Sequence, residues 1–208
     1  MQDDIFLSPH FTLQEMTESR TAQKHGILNV PPEEAVENLR ALCVHTLEPL
    51  RNALGLPVVI TSGYRTKALN NLLAHSSDRS QHMAGQAADF WVQGLTFGRA
   101  CSRSVESEQV PLFSRLIAAF KFQVSGDLKL ETGASPMKLE TPRQRLVKAF
   151  REILQNPRID FDQLILYPGF IHVSYVSKEK NRRGILKAQG NGKLGYGRLT
   201  LANALKIV

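Results

Sequence analysis

Residues 80–89 read Ser-Gln-His-Met-Ala-Gly-Gln-Ala-Ala-Asp. The apolar run at 90–92 follows, so the stretch predicts a tight turn at Gly85 that leads into a buried strand. His82 and Asp89 offer an imidazole and a carboxylate, which bind zinc at about 2.0–2.2 Å. A carboxylate that enters a buried strand needs a compensating charge, because burying it unpaired is costly. The stretch therefore predicts half of a zinc site; the alternative is a surface loop with a solvated histidine and a capping aspartate.

The longest predicted helix precedes this stretch. It runs from about Glu33 to Leu54, where apolar residues recur at steps of three and four. Gly55 is placed to end it. A β-branched run at 58–61 then predicts a buried strand that delivers Arg65 just beyond its carboxyl end.

Two further strands are predicted at 161–166 and 170–175, and the second contains His172. A lone histidine in a strand is usually structural. His172 becomes a stronger candidate for a zinc ligand because a site that begins with His82 and Asp89 needs a third ligand. Together the elements predict an α+β fold, in which a central antiparallel sheet carries the site and helices pack around it.

The 208 residues are predicted to form a single domain that contains an insertion at 97–141. Thr141 and Pro142 supply an N-cap and a first-turn proline, so excising the insertion joins residues 94–96 directly to a well-formed helix start. The insertion has nearly balanced charge. It is open whether it is a lid, a partner-binding arm or a neutral decoration.

Charge and composition exclude several classes of protein. The two cysteines exclude a disulfide framework and a four-cysteine zinc site. No apolar run has the length of a membrane span. The formal net charge of +7 is concentrated in a basic C-terminal segment at 178–208. That segment suits a polyanion or a solvated surface, and nucleic acid is not expected because no aromatic stripe accompanies the charges.

Three motifs of the chain occur in combination: Ser80-Gln81-His82 through Asp89, the strand end Ser62-Gly63-Tyr64-Arg65 with Asn70 or Asn71, and Ile171-His172-Val173-Ser174. The combination resembles the zinc D-Ala-D-Ala carboxypeptidase and murein endopeptidase family. The likeness covers roughly residues 6–96 and 142–185, and it extends to the single-domain members of phages and bacteria. It implies the Hedgehog/DD-peptidase-like fold and hydrolysis of an amide bond in peptidoglycan stem peptides.

The resemblance implies a role for each matching residue. His82, Asp89 and His172 match the three zinc ligands, which leaves a fourth position for a water whose pKa zinc lowers towards about 7. Arg65 matches the arginine that holds a carbonyl oxygen or carboxylate of the substrate, and its alternative is a surface ion pair. Substrate contacts are expected from three polar residues: Ser80, Gln81 and Asn70.

One position departs from the family pattern. Members usually place a glutamate a few residues before the last zinc histidine as general base and acid, and here Tyr167 stands near that position. Losing such a group typically costs about 10²–10⁴ in rate. Three alternatives are open: Tyr167 suffices, the domain is a weakened or inactive wall-binding module, or the insertion supplies a carboxylate. The candidate carboxylates of the insertion are Glu106, Glu108, Glu131 and Glu140.

The N-terminus lacks the basic-then-apolar pattern of a secretory signal. We therefore expect a protein that is cytoplasmic as synthesised and that acts on the cell wall after release, lysis or export by another system.

Overall fold

The computed structural model describes residues 5–73, 77–94, 140–188 and 196–207. The predicted α+β class is confirmed, because helices surround a six-stranded sheet. The strands are β1 (Phe6–Ser8), β2 (Phe11–Thr12), β3 (Val58–Ser62), β4 (Ala87–Val92), β5 (Gln163–Leu166), β6 (Ile171–Ser174), β7 (Gly184–Ala188) and β8 (Tyr196–Arg198). The helices are α1 (Leu13–Thr17), α2 (Arg20–Lys24), α3 (Glu33–Leu42), α4 (Glu48–Leu54), α5 (Lys67–Leu72), α6 (Pro142–Gln155) and α7 (Leu201–Ala204).

The main sheet has the strand order β3-β4-β6-β5-β7-β8. Its neighbouring strands are antiparallel, as predicted, except that β5 and β7 are parallel. The exception arises because the chain leaves β6 at Ser174, passes the start of β5 and enters β7 at Gly184, at the same end of the sheet. Gln163 is the register partner of both residues.

Alternation along the strands gives the sheet two different faces. Phe90, Ile171 and Val173 are fully buried in the core, where α6 packs against β4, β5 and α4. The residues between them, such as Trp91 and His172, project from the other face and are half-buried. The candidate site lies on this second face.

The predicted helix from Glu33 to Leu54 is confirmed as a continuous helical segment, and it ends at Gly55 as expected. Its apolar stripe supplies several fully buried leucines of the core. The segment contains one feature that periodicity did not predict, a π-helix at Cys43–Leu47. Glu48 follows it and accepts hydrogen bonds from Ser8 and His10, which attaches the N-terminal strands to the helix.

The predicted start of α6 is also confirmed. The Thr141 hydroxyl accepts from the Gln144 amide, and the Gln144 side chain accepts from the Thr141 amide, forming a capping box with Pro142 in the first turn. Of the predicted insertion, only Glu140 and Thr141 lie within the described residues, so its limits and role stay predictions. In the part of the chain that the structure describes, no helix has both the length and the apolar character needed to cross a membrane.

Candidate metal centre

Three side chains from separate elements meet on the half-buried face of the sheet. Asp89 of β4 and His172 of β6 are register partners on adjacent strands. His82 lies in a 3₁₀ turn, Gln81–Ala84, that directly precedes β4. His82 Nε2 lies 3.2 Å from His172 Nδ1 and 3.4 Å from Asp89 Oδ1, and His172 Nδ1 lies 2.8 Å from the same oxygen.

The spacing of these atoms suits a tetrahedral metal ion. Donors bound to zinc at about 2.0–2.1 Å in tetrahedral geometry are roughly 3.3 Å apart. The three distances between donors, 2.8 to 3.4 Å, bracket that value. Two imidazoles and one carboxylate are also the donor types found in catalytic zinc sites, which keep a fourth position open. His82, Asp89 and His172 therefore fit zinc.

The ring of His82 is held in one orientation by a hydrogen bond on the side that faces away from the other two donors. Its Nδ1 lies 2.7 Å from the carbonyl oxygen of Gly63, so Nδ1 carries the proton and Nε2 presents its lone pair to the centre. Gly63 makes this possible because a Cβ there would lie 2.2 Å from the carbonyl oxygen of Met16. Gly85, at a φ of +70°, closes the His82 turn in a conformation that L side chains rarely adopt.

The electrostatics of the centre favour the charge states that ligation requires. Burial lowers the pKa of His82, so its imidazole is neutral and able to donate a lone pair. Burial of Asp89 alone would raise its pKa, but the two imidazoles packed against its carboxylate hold that pKa far below the usual range. Asp89 is therefore an anion at neutral pH.

Arg65 projects to the outer oxygen of the same aspartate. Its Nη2 donates to Asp89 Oδ2 at 3.0 Å, and its Nε donates to the Ser62 hydroxyl at 3.0 Å. The Arg65 side chain is only 12% exposed, so the pair is not a solvated surface ion pair. These two contacts leave further guanidinium N–H groups beside the centre. Ser62 was not predicted as a site residue, although it belongs to the quoted strand-end motif.

A cavity of about 750 Å³ lies beside Arg65 and Asp89. Edge strand β3 and residues 18–21 form one side of it, and four aromatic residues also line it: Tyr64, Trp91, Tyr167 and Phe170. Sequence reasoning missed Trp91 and Phe170 as site residues. Alternation could have indicated them, since Trp91 is two positions after Asp89 and Phe170 two positions before His172.

Tyr167 is at the start of the turn between β5 and β6. Its ring stacks on Phe170, with centroids 4.2 Å apart, and both rings line the cavity. Among the described residues, the carboxylates that line the cavity are Asp89, Glu15 and Glu18. Glu15 accepts from the Ile60 amide at the edge of β3.

The predicted carboxylates of the insertion divide into two groups. Glu140 lies at the start of α6, is 3.5 Å from the ammonium group of Lys148, and is not among the residues that line the cavity. The other three lie outside the described residues: Glu106, Glu108 and Glu131.

The three predicted substrate contacts are placed differently from one another. Ser80 is half-buried at the N-cap of the His82 turn. Gln81 directs its amide to Asp162 and Arg182. Asn70 is buried and donates to the carbonyl oxygen of Ser77. None of them is among the residues that line the cavity. Their contacts with substrate stay predictions.

Comparison with known families decides the assignment. The family model described as Peptidase M15 matches residues 9–115, about half of the chain. The chain belongs to the M15 peptidase family. M15 peptidases depend on zinc, in agreement with the donor set found here. The matched residues include Arg65, His82 and Asp89, whereas the third donor of this M15 peptidase, His172, lies beyond them. No curated protein matches the chain.

Proposed function

We propose that this M15 peptidase hydrolyses an amide bond in peptidoglycan stem peptides and acts as a D-Ala-D-Ala carboxypeptidase or a murein endopeptidase. The observation that carries the proposal is the convergence of His82, Asp89 and His172 at zinc-ligand spacing, next to a cavity. Zinc held by these side chains would supply a Lewis acid and would lower the pKa of a water for hydrolysis of an amide.

The side chains around the donors would perform the remaining tasks. Arg65 offers N–H groups at the point where the cavity meets Asp89, so it is suited to hold a substrate carboxylate or to stabilise negative charge on the carbonyl oxygen. Gly63 keeps His82 in the tautomer that donates from Nε2. Trp91 and Phe170 present apolar surface that favours exclusion of water from a bound peptide.

Proton transfer is assigned to Tyr167. A phenol with an ordinary pKa of about 10 is a poor base at neutral pH, but it donates a proton or a hydrogen bond effectively. Its position on the cavity wall would let the phenol donate its proton to the leaving amine and recover one from the attacking water. Since peptidoglycan lies outside the cytoplasm, the proposal requires that the protein reach the wall by release, lysis or export.

A second candidate function is a catalytically weakened or inactive peptidoglycan-binding module that retains the metal. It is favoured by the presence of Tyr167 near the position of the usual glutamate. The Tyr167→Phe variant and glutamate-to-glutamine variants of the insertion distinguish the two candidates. Loss of activity in one of these variants identifies the acid/base group, whereas wild type that binds muropeptides without cleaving them favours the second candidate.

The direct test is incubation of zinc-loaded protein with purified muropeptides, followed by mass spectrometry of the products. Release of free alanine indicates a carboxypeptidase, and conversion of cross-linked dimers to monomers indicates an endopeptidase. Removal of zinc by a chelator should abolish either reaction, and added zinc should restore it. Intact muropeptides after incubation with zinc-loaded wild type would overturn the proposed hydrolysis.

A further inference from the structure

A buried carboxylate is bonded to the residue that precedes His82, without being one of the donors. Asp162, immediately before β5, has a side chain that is 1% exposed. Its Oδ1 accepts from the backbone amide of Arg182 at 2.7 Å and from Arg182 Nε at 2.9 Å. Its Oδ2 accepts from Arg182 Nη2 and, at 2.9 Å, from Gln81 Nε2. The carboxylate is thus fully engaged by two residues that are distant in sequence.

Gln81 connects this carboxylate to the turn that carries the first histidine. It directly precedes His82, and its side-chain oxygen also accepts from Arg182 Nη2 at 3.4 Å. Its backbone oxygen accepts from the amide of Gln86 at 2.9 Å. Both the side chain and the backbone of Gln81 therefore fix the position of the turn.

The backbone of Asp162 connects the same group to the strand that carries the second histidine. Its amide donates to the carbonyl oxygen of Ser174 at 2.6 Å, two residues after His172. Its carbonyl oxygen accepts from the amide of Gly184 at 2.8 Å, which fixes the entry to β7. Asp162 is therefore bonded both to the turn before β4 and to the end of β6.

We infer that Gln81, Asp162 and Arg182, the Asp162 bridge, are positioning residues that set the separation of the two histidine donors. His82 and His172 belong to elements 90 positions apart in sequence, and their donor atoms must lie within a few tenths of an ångström of the distance that the metal requires. The Asp162 bridge joins these elements through a buried charge with directional hydrogen bonds. This inference rests on the metal site of the proposed function.

Replacement of Gln81 distinguishes a role in positioning the donors from a contribution to folding stability. Arg182 already compensates the charge of Asp162, so a truncated Gln81 does not leave a buried ion without a partner. Gln81 is half-buried, so water can replace its amide at the carboxylate, and we expect Gln81→Ala to stay folded. What the truncation removes is the side-chain bond between the carboxylate and the His82 turn.

The test compares Gln81→Ala with wild type and with Arg183→Ala. Arg183 is a matched control because it belongs to the same loop and pairs with Asp160 at 2.9 Å, without contacting Gln81. Zinc affinity is measured by competition with a chelating dye, the visible spectrum of the cobalt-substituted protein reports donor geometry, and urea unfolding of the metal-free protein reports stability. Groups that hydrogen-bond directly to metal ligands typically contribute 10–100-fold, and Gln81 acts one residue further out, so we expect Gln81→Ala to bind zinc about tenfold more weakly.

The cobalt spectrum of Gln81→Ala should change, while its metal-free unfolding stays close to that of wild type. Arg183→Ala should match wild type in zinc affinity and in the spectrum. Wild-type zinc affinity in Gln81→Ala, or an equal loss in Arg183→Ala, overturns the positioning role. Wild type that binds no zinc overturns the metal site itself. That failure is distinguishable from failure of the positioning role, in which wild type and Gln81→Ala bind zinc equally well.

Discussion

The hairpin formed by β5 and β6 has two ends of opposite character. At the anchored end (Asp162, Gln163 and Ser174), the buried Asp162 is bonded through its side chain to the His82 turn and through its backbone to the end of β6 and the start of β7. At the open end (residues 167–170), Tyr167 and Phe170 are half-buried beside the cavity, and the two residues between them are exposed. His172 lies between the two ends. The buried hydrogen bonds of the hairpin thus hold the donors in place, whereas the end that faces the cavity is accessible to substrate.

The largest effect is expected from removing one of the zinc donors, which lie between the two ends of the hairpin. His82→Ala removes one of three ligands, so we expect loss of stoichiometric zinc and a fall in muropeptide hydrolysis of more than about 10³-fold, because zinc would both polarise the carbonyl and activate the attacking water. His45→Ala is the control, since His45 stacks on Tyr175 outside the donor set. Zinc content and initial rates are the measurements. A variant at His82 that keeps full activity would contradict the assignment.

Arg65 lies between the donors and the cavity, and its replacement tests the charge on that side. Arg65→Ala should lower kcat by about 10²–10³-fold, the cost of one oxyanion-type donor, while zinc stays bound. Arg65→Lys should recover little, because an ammonium group cannot reproduce the forked contacts to Ser62 and Asp89. Steady-state kinetics and zinc content decide the matter. Full rescue by lysine would show that only the positive charge matters.

Tyr167→Phe tests the open end alone. The change keeps the ring that stacks on Phe170 and removes only the hydroxyl. We expect kcat to fall by about 10²-fold, at the low end of the range for a positioned acid, with zinc affinity and thermal stability unchanged. An unchanged rate would show that the Tyr167 hydroxyl takes no part in the reaction. In that case the glutamates of the insertion become the next variants to measure.

The smallest effect is expected from the anchored end and appears in stability. Arg182 holds the pKa of Asp162 below its ordinary value despite burial, mainly through hydrogen bonds. A carboxyl whose pKa is lowered in the folded state stabilises the protein above the unfolded pKa, about 3.9, and that contribution is lost as the pH falls through the folded value. Arg182→Ala should therefore cost about 1–2 kcal/mol at pH 7 and progressively less below about pH 4.

Urea unfolding of the metal-free protein at pH 7 and below pH 4 checks this prediction. Arg183→Ala serves again as the control, because its pair with Asp160 is exposed and surface pairs contribute about 0–1 kcal/mol. A cost for Arg182→Ala that does not change with pH would mean that the side chain stabilises the loop by packing and not through its charge.

The sequence predicted the elements that follow from periodicity and capping. The segment from Glu33 to Leu54, the capped start of α6 and a strand at the β-branched run 58–61 are all local signals, and all three elements are confirmed. The expected burial of that strand is wrong, because β3 is an edge strand in which only Val58 is buried. The π-helix at Cys43–Leu47 was not predicted because it inserts into an apolar stripe without changing its residue types. The parallel pairing of β5 and β7 was not predicted because it depends on where the loop 175–183 crosses.

The site divides in the same way. The donor triad was predicted from the resemblance of motifs, and the described structure brings its three members together. The Asp162 bridge was not predicted because Arg182 belongs to a basic segment that suits solvent. The signal was an aspartate at the start of a buried strand, where a carboxylate needs a compensating charge. The residue that provides this charge, Arg182, lies 20 positions further along the chain.

The central claim is tested most directly by a crystal structure of the zinc-loaded protein with anomalous data collected at the zinc edge. We expect one peak per chain, within about 2.0–2.2 Å of His82 Nε2, Asp89 Oδ1 and His172 Nδ1. A peak bound by other side chains, or imidazoles of His82 and His172 that point into separate environments, would contradict the account.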